Sequence, residues 1–278
     1  MAAVALLPPA ASAAVIVQDG FTDGGRTNGA DPLDLPWYQG TGGTLSVADD
    51  PAGTGFGAGN ALFFDSGGTF RRFLGVFDTP ITIAPGETLN LSFDYRFPAA
   101  PASTGGNFRF GLYNDGGTPL TADTTSSSAR TNDFGYAVTT NPGSAAANGT
   151  SITKEAAGDD ILGGSSPGGL VTFGTAGGSV ASGTTPHTAT LSVSRNLAGT
   201  ALSFSGQLDN AAIFSGTDNS PSTFTFHEFA LGSGGVEIDF AIDNVIINVV
   251  PEPTGALAIS LVTGLLALRR RRRVTIGG

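Results

Sequence analysis

The sequence predicts an all-β chain folded as a two-sheet antiparallel sandwich, and three observations predict it. Apolar and polar residues alternate with a period of two in one run after another. Glycine supplies 42 of 278 residues and proline 16, with Ser, Thr, Asn and Asp also plentiful, a composition that makes turns and disfavours long helices. No helical period and no fixed-length repeat runs through the body, which argues against bundles, propellers and β-helices.

The alternation is clearest at Leu89, Leu91, Phe93, Tyr95 and Phe97, which share one face, while Asn90, Ser92, Asp94 and Arg96 share the other. Such a strand is half buried against a second layer. Pro85-Gly86 turns the chain before it and Pro98 ends it. Phe108, Phe110 and Leu112 repeat the pattern up to Asn114-Asp115-Gly116-Gly117. Further strands are expected over Ala61 to Phe64, Phe70 to Val76, Ile81 to Ile83, Phe134 to Val138, Thr188 to Ser194, Ala201 to Leu208, Phe224 to Leu231 and Val236 to Val249. A hairpin connection is expected around Asn196 and Gly199. Thr121 to Arg130 and Ala145 to Gly169 are rich in Ser, Thr, Gly and Ala and read as long loops. About ten strands of this kind make one domain, residues 15–249.

The 19 Phe and an apolar share of 40% are enough for a packed core. Cysteine is absent, so disulfides, thiol nucleophiles and thiolate metal sites are excluded. Five Arg form one run, Arg269 to Arg273; outside it 8 basic residues face 23 acidic ones. A body this acidic repels nucleic acid and suits neutral glycans or divalent cations.

Both ends read as addresses. Residues 1–14, MAAVALLPPAASAA, carry a short apolar stretch and the small residues Ala11-Ser12-Ala13, as a signal-peptidase site does. The basic n-region is missing, so the expectation is a truncated signal peptide. At the other end Pro251-Glu252-Pro253 precedes an uncharged apolar stretch, Thr254 to Leu268, and then the arginines. Fifteen helical residues span about 22 Å, short of the ~30 Å hydrocarbon core. Arginine snorkelling covers part of the gap, and the positive-inside rule keeps the Arg run cytoplasmic. The ordered triple of Pro-Glu-Pro, short helix and Arg run closely resembles the PEP-CTERM sorting domain of Gram-negative bacteria. The resemblance covers residues 250–273. It implies recognition by an exosortase, a membrane cysteine protease that processes the tag near Pro251, Glu252 and Pro253, with Arg269, Arg270, Arg271, Arg272 and Arg273 as the stop signal. The five residues 274–278 that follow the arginines depart from that pattern. The expected route is export, a transient stay in the inner membrane, then the cell surface or the extracellular matrix.

The body resembles extracellular jelly rolls, both concanavalin/laminin-G-like sandwiches and carbohydrate-binding modules. The residues that carry this are Asp19-Gly20-Phe21 with Trp37 after it, the run ITIAPGETLNLSFDYRF from Ile81 to Phe97, and FAIDNVIINV from Phe240 to Val249. Val236, Ile238, Phe240 and Ile242 face one way, and after Asn244 the phase flips to Val245, Ile247 and Val249. A flip in a period of two implies a bulge near Asp243-Asn244. The resemblance implies a structural calcium there, between first and last strands, with Asp19, Asp243 and Asn244 as ligands. The alternative is that Asp243 and Asn244 satisfy the backbone of the bulge.

Exposed aromatics would form a sugar-stacking face, and Trp37, Tyr38 and Tyr113 are the candidates. Of adjacent Trp37 and Tyr38, one should point outward; Tyr113 alternates against Phe110 and Leu112 and should face solvent. The two histidines, His187 and His227, have no partner at catalytic or zinc spacing. Glu237-x-Asp239 would set two carboxylates about 7 Å apart on one strand face. The glycosidase motif of sandwich folds needs a second Glu where this chain has Ile242. No P-loop, Rossmann glycine signature or Gly-x-Ser-x-Gly occurs. The expectation is a non-catalytic surface or matrix protein, associated with exopolysaccharide. The alternatives are a glycan-binding module and a polysaccharide-active enzyme.

Overall fold

The computed structural model describes residues 12–27, 32–50, 55–57, 59–98, 108–126, 130–140, 150–158, 161–162, 171–176, 184–235 and 237–251. Among them fifteen strands form two antiparallel sheets. In chain order they are β1 (Ala14–Asp19), β2 (Trp37–Gln39), β3 (Thr44–Asp49), β4 (Asn60–Asp65), β5 (Arg72–Thr82), β6 (Glu87–Arg96), β7 (Phe108–Asn114) and β8 (Phe134–Thr140). There follow β9 (Thr150–Glu155), β10 (Val171–Ala176), β11 (His187–Arg195), β12 (Leu202–Leu208), β13 (Ala211–Asp218), β14 (Thr225–Ser233) and β15 (Phe240–Pro251). Sheet A has the order β13-β12-β11-β6-β15-β4-β3, with β1 also paired to β15. Sheet B has the order β10-β9-β8-β7-β14-β5-β2. No described helix is long and apolar enough to cross a membrane. The helix expected over 254–268, with Glu252, Pro253 and the Arg run, lies outside the described residues; Pro251 is the last residue of β15.

The period-two alternation does what it predicts. Leu89, Leu91, Phe93 and Tyr95 of β6 are buried, as are Phe108, Phe110 and Leu112 of β7, and the two sets meet between the sheets. Phe93 and Phe110 rings lie 5.2 Å apart, edge to face, and Phe108 meets Phe240 at 4.9 Å. The abundant Phe thus builds one continuous aromatic layer, in the tilted and edge-on geometries that aromatic quadrupoles favour.

The structure departs from the sequence reading in several places, and β1, β2, β3, β10 and β13 are strands that it did not expect. The segments expected at Phe70 to Val76 and Ile81 to Ile83 are one continuous strand, β5, whose Asp78-Thr79-Pro80 stretch is exposed and polar and masks the continuity. The loop expected from Ala145 to Gly169 contains β9, which pairs in register with β8 from Gly135↔Glu155 to Thr139↔Ser151. The last strand begins at Phe240 rather than Val236. The phase flip is present as a register shift between Asp243 and Ile246, with Asn244 at a left-handed φ of 51°. Asn tolerates that region better than most residues.

The outer faces of the two sheets differ. On sheet A, Thr88, Asn90, Ser92 and Asp94 stand beside Ser194, Ser192, Thr190 and Thr188. These side chains bond laterally: Ser192 Oγ donates to Asn90 Oδ1 at 2.7 Å, and Asn90 Nδ2 to Asn248 Oδ1 at 3.1 Å. The face is a hydroxyl and amide ladder. Sheet B instead carries buried charges on its outer face.

Candidate functional site: the outer face of sheet B

Register aligns the outward side chains of sheet B into rows. One row runs Arg72, Gly232, Arg109, Thr139, Ser151 across β5, β14, β7, β8 and β9. The next runs Tyr38, Leu74, Ala230, Gly111, Ala137, Thr153 and begins on β2. The third runs Val76, Glu228, Tyr113, Gly135, Glu155. A small and apolar floor therefore lies between a guanidinium wall and a wall of Tyr113 and Glu155. Glycine is required in the floor. A Cβ on Gly111 would sit 2.9 Å from Tyr113 Cε2, and one on Gly135 would sit 3.0 Å from Tyr113 Cδ1, so the phenol ring lies against bare backbone.

Ile161 and Leu162, both buried, fill the slot above Leu74, Ala137 and Ala230. Leu162 N–H donates to Glu155 Oε2 at 2.9 Å and to Tyr113 Oη at 3.1 Å. Leu162 C=O accepts from Arg109 Nη1 at 2.6 Å and Arg72 Nη2 at 3.4 Å. Tyr113 Oη itself donates to Glu155 Oε2 at 2.6 Å. Burial pushes the Glu155 carboxyl up to about 7, against the hydrogen bonds from Tyr113 and Leu162 and the charges of Arg72 and Arg109. Burial, then the neighbouring Arg72 charge, pushes the Arg109 guanidinium down.

Past Tyr113 the face turns acidic. A register shift between Phe226 and Glu228 brings His227 into contact with Asp115, while Glu228 bonds Asp133. Burial, then Asp133, holds the Glu228 carboxyl well above the usual range. Glu228 is 1% exposed and Asp133 2%.

At the open end of the middle row Tyr38 is half-buried on the outer face. Beside it Arg26 makes a two-pronged ion pair with Asp123, Nη1 to Oδ1 at 2.7 Å and Nη2 to Oδ2 at 2.6 Å. Asp123 also accepts Gln39 N–H at 2.9 Å, and the Arg26 hydrogen bond holds its carboxyl below the usual range. Alternation within β2 sends Trp37 inward: its ring lies 5.7 Å from Phe73 and 5.9 Å from Phe229, fully buried. One ring of the Trp37–Tyr38 pair does point outward, as expected, and the solvent-facing position expected for Tyr113 is corrected. Trp37 belongs to the core and Tyr113 is covered by Leu162; Tyr38 is the ring that points out. Arg26, Arg72, Arg109, Asp123 and Glu155 were missed. The Arg72 and Arg109 positions were legible as polar residues on the outward phase of strands whose other face is core.

Asp19, Asp243 and Asn244 do come together, where β1 and β4 meet end to end along β15. A Cβ on Gly20 would stand 3.9 Å from both Asp243 Oδ1 and Asn244 Oδ1. Burial, with Asp94, Asp19 and Asp50 nearby, pushes the Asp243 carboxyl up to about 6. Asp243 and Asn244 therefore offer the oxygen donors a hard cation takes. The Asp19 side chain does not: it accepts Trp37 Nε1 at 2.7 Å, Leu35 N–H at 3.3 Å and Phe21 N–H at 3.0 Å, and is 3% exposed. Asp65, Glu237 and Asp239 also converge, and Asp239 Oδ1 accepts both Ser66 N–H at 2.8 Å and Ser66 Oγ at 3.1 Å.

No protein-family model matches the chain, and no curated protein matches it. Solved structures do. A Bacillus subtilis protein of unknown function with a galectin-like fold is 10% identical over 86% of this chain and 98% of its own, with a TM-score of 0.53. The globular domain of T. cruzi calreticulin is 11% identical over 84% and 88%, with a TM-score of 0.52. Peanut lectin is 12% identical over 86% and 98%, with a TM-score of 0.43. The fold is a two-sheet antiparallel β-sandwich similar to that galectin-like fold.

Proposed function

We propose that the protein is an exported, non-catalytic carbohydrate-binding module whose ligand lies on the outer face of sheet B, with Tyr38 at its entrance. The observation that carries this is the row from Tyr38 to Thr153. It is an aromatic ring beside a fixed Arg–carboxylate pair, at the open end of a floor of small residues whose other part Ile161 and Leu162 cover. Rings that stack on sugars and charge-assisted hydrogen bonds that orient hydroxyls are what saccharide recognition uses. The galectin-like fold is consistent with it. Asp133 and Glu228, the acids that bond each other on this face, are sealed from substrate, which supports binding over hydrolysis.

The test is a glycan array with the secreted protein, followed by titration of the best ligand. Tyr38→Ala should weaken binding about tenfold, a loss typical of one aromatic contact. Array silence, or affinity unchanged in Tyr38→Ala and Arg26→Ala alike, would overturn the proposal.

Delivery is the second part of the proposal. Signal peptidase and an exosortase process the two ends, the inner membrane holds the tail transiently, and the module reaches exopolysaccharide at the surface or in the matrix. The Pro251-Glu252-Pro253 motif and the Arg run support it. A structural calcium, held by Asp243 and Asn244 with backbone carbonyls near the end of β1, would tie first and last strands together.

A further inference from the structure

Lys154 is the only lysine in the chain, and it shares the inward phase of β9 with the core residue Ile152. Its register partner on β8 is Tyr136, whose ring is buried between the sheets 4.5 Å from that of Phe204. From there the Lys154 side chain crosses to the other sheet. Its Nζ donates to Asp218 Oδ2 at 3.0 Å and to the Ser220 C=O at 2.5 Å. Asp218 is the last residue of β13, the edge strand of sheet A, and pairs with Leu202 of β12. The contact therefore ties sheet B to sheet A across 64 residues of chain. The chain has no cysteine, so no disulfide can do the same.

The Asp218 carboxyl group is fixed at both oxygens and is 2% exposed. Oδ1 accepts the Ser220 N–H at 2.8 Å, and Oδ2 accepts Tyr136 Oη at 2.8 Å. Burial, then the bond to Asp218, pushes the Tyr136 phenol up, so it stays an O–H donor. A main-chain N–H on one oxygen is placed to stabilise an oxyanion that forms there. A hydroxyl on the other oxygen is placed to move a proton. The Ser220 carbonyl orients the Lys154 nitrogen, which already touches the carboxyl group. The entropy of bringing an amine and a carboxyl together is thus met by the fold itself.

We propose that Lys154 and Asp218 condense to an isopeptide bond, an intramolecular amide that locks the two sheets together at the β9–β13 seam. One proton passes from the ammonium to Oδ2, which leaves an amine and a carboxylic acid, both uncharged in a place where charge is costly. Nζ attacks Cγ, the N–C bond forms, and the carbonyl electron pair moves onto Oδ1 against the Ser220 N–H. Tyr136 gives its proton to Oδ2 and takes one from the nitrogen. The Cγ–Oδ2 bond breaks, water leaves, and Oδ1 becomes the amide carbonyl. No oxidant, cofactor or second enzyme enters the balance. The closed loop restricts the unfolded chain as a disulfide would. The bond is independent of what the outer face of sheet B binds.

Mass spectrometry of the full chain, folded and held until its mass is constant, is the test. The wild type should be lighter than its residues require by one water. Lys154→Arg prepared in the same way is the reference, so that any trimming of the ends cancels. Peptic digestion of the wild type should release a branched peptide that joins the segment around Lys154 to the segment around Asp218. Lys154→Arg keeps a cation beside Asp218 but has no nucleophilic amine. It should show no loss of water and melt roughly 10 °C lower, the shift expected when a closed loop of this length is opened. Tyr136→Phe keeps the ring and should slow the loss of water at least roughly tenfold. If Lys154→Arg does not fold, the branched peptide of the wild type decides alone. A wild-type mass without the deficit, a deficit that survives Lys154→Arg, or a digest without the branched peptide overturns the bond.

Discussion

Glu155 and Asp243 both titrate above the ordinary carboxyl range, at about 7 and about 6. A carboxyl whose folded value is raised contributes stability that is complete below its unfolded value and lost as pH rises through the folded one. For Glu155 the shift from 4.5 to about 7 corresponds to about 3 kcal/mol. Melting temperature should therefore fall between pH 5 and pH 8, and Glu155→Gln should flatten that fall. A wild-type profile no steeper than that of the variant would contradict it. Asp243 has the same sign over a lower window, and a bound cation would reverse it by favouring the ionised form. Calcium should accordingly raise the melting temperature, chelation should lower it, and Asp243→Ala should abolish both responses. A melting temperature indifferent to calcium and to chelator would remove the site. The Trp37–Tyr38 pair shows how far sequence reads at this scale. Alternation says that one ring points out, but which one depends on β2 pairing with β5, where Gly75 leaves room for the indole: a Cβ there would meet Trp37 Cη2 at 2.9 Å.

At the scale of elements, period-two alternation was legible wherever one face is core and the other polar, as in β6, β7 and β12. It failed for β9, TSITKE, because its inward Ile152 is a single apolar signal in a run of small polar residues. The bulge in β15 was legible because it shifts the apolar phase by one. The bulge in β14 shifts the inward phase in the same way, from Phe226 to Phe229 three residues on, but the polar pair His227 and Glu228 between them hides the shift. The slot was hidden for a related reason. Its floor and walls contain Gly111, Gly135 and Gly232, and a glycine on a strand signals only that something comes close. That closeness is testable. A Cβ on Gly135 would stand 2.2 Å from the Leu112 carbonyl oxygen, a clash with backbone that no rotamer relieves. Gly135→Ala should cost about 3 kcal/mol or more, within the range of overpacked cores and beyond, read from urea unfolding. Tyr113→Phe, which keeps the ring and loses the bonds to Glu155, should cost less.

For the whole molecule, the two-sheet architecture follows from the sequence, because alternation, turn chemistry and aromatic content agree. The strand order does not. It depends on pairings as distant as β1 with β15, which no local pattern encodes. The mass of the extracellular form should correspond to loss of residues near both ends, with the downstream cut close to Pro251. A strain lacking the exosortase should retain the uncut chain in the inner membrane. Uncut protein in the membrane of both strains would contradict the proposal.

The pairing of β15 has a mechanical consequence. This 12-residue strand lies inside sheet A, bonded to β6 along one edge and to β4 and β1 in succession along the other. A pull at Pro251 runs along the strand axis, so the ladders on both edges are sheared together instead of being peeled open one bond at a time. A module held by its C-terminal end and gripped by polymer on sheet B would resist drag with both ladders of β15 at once.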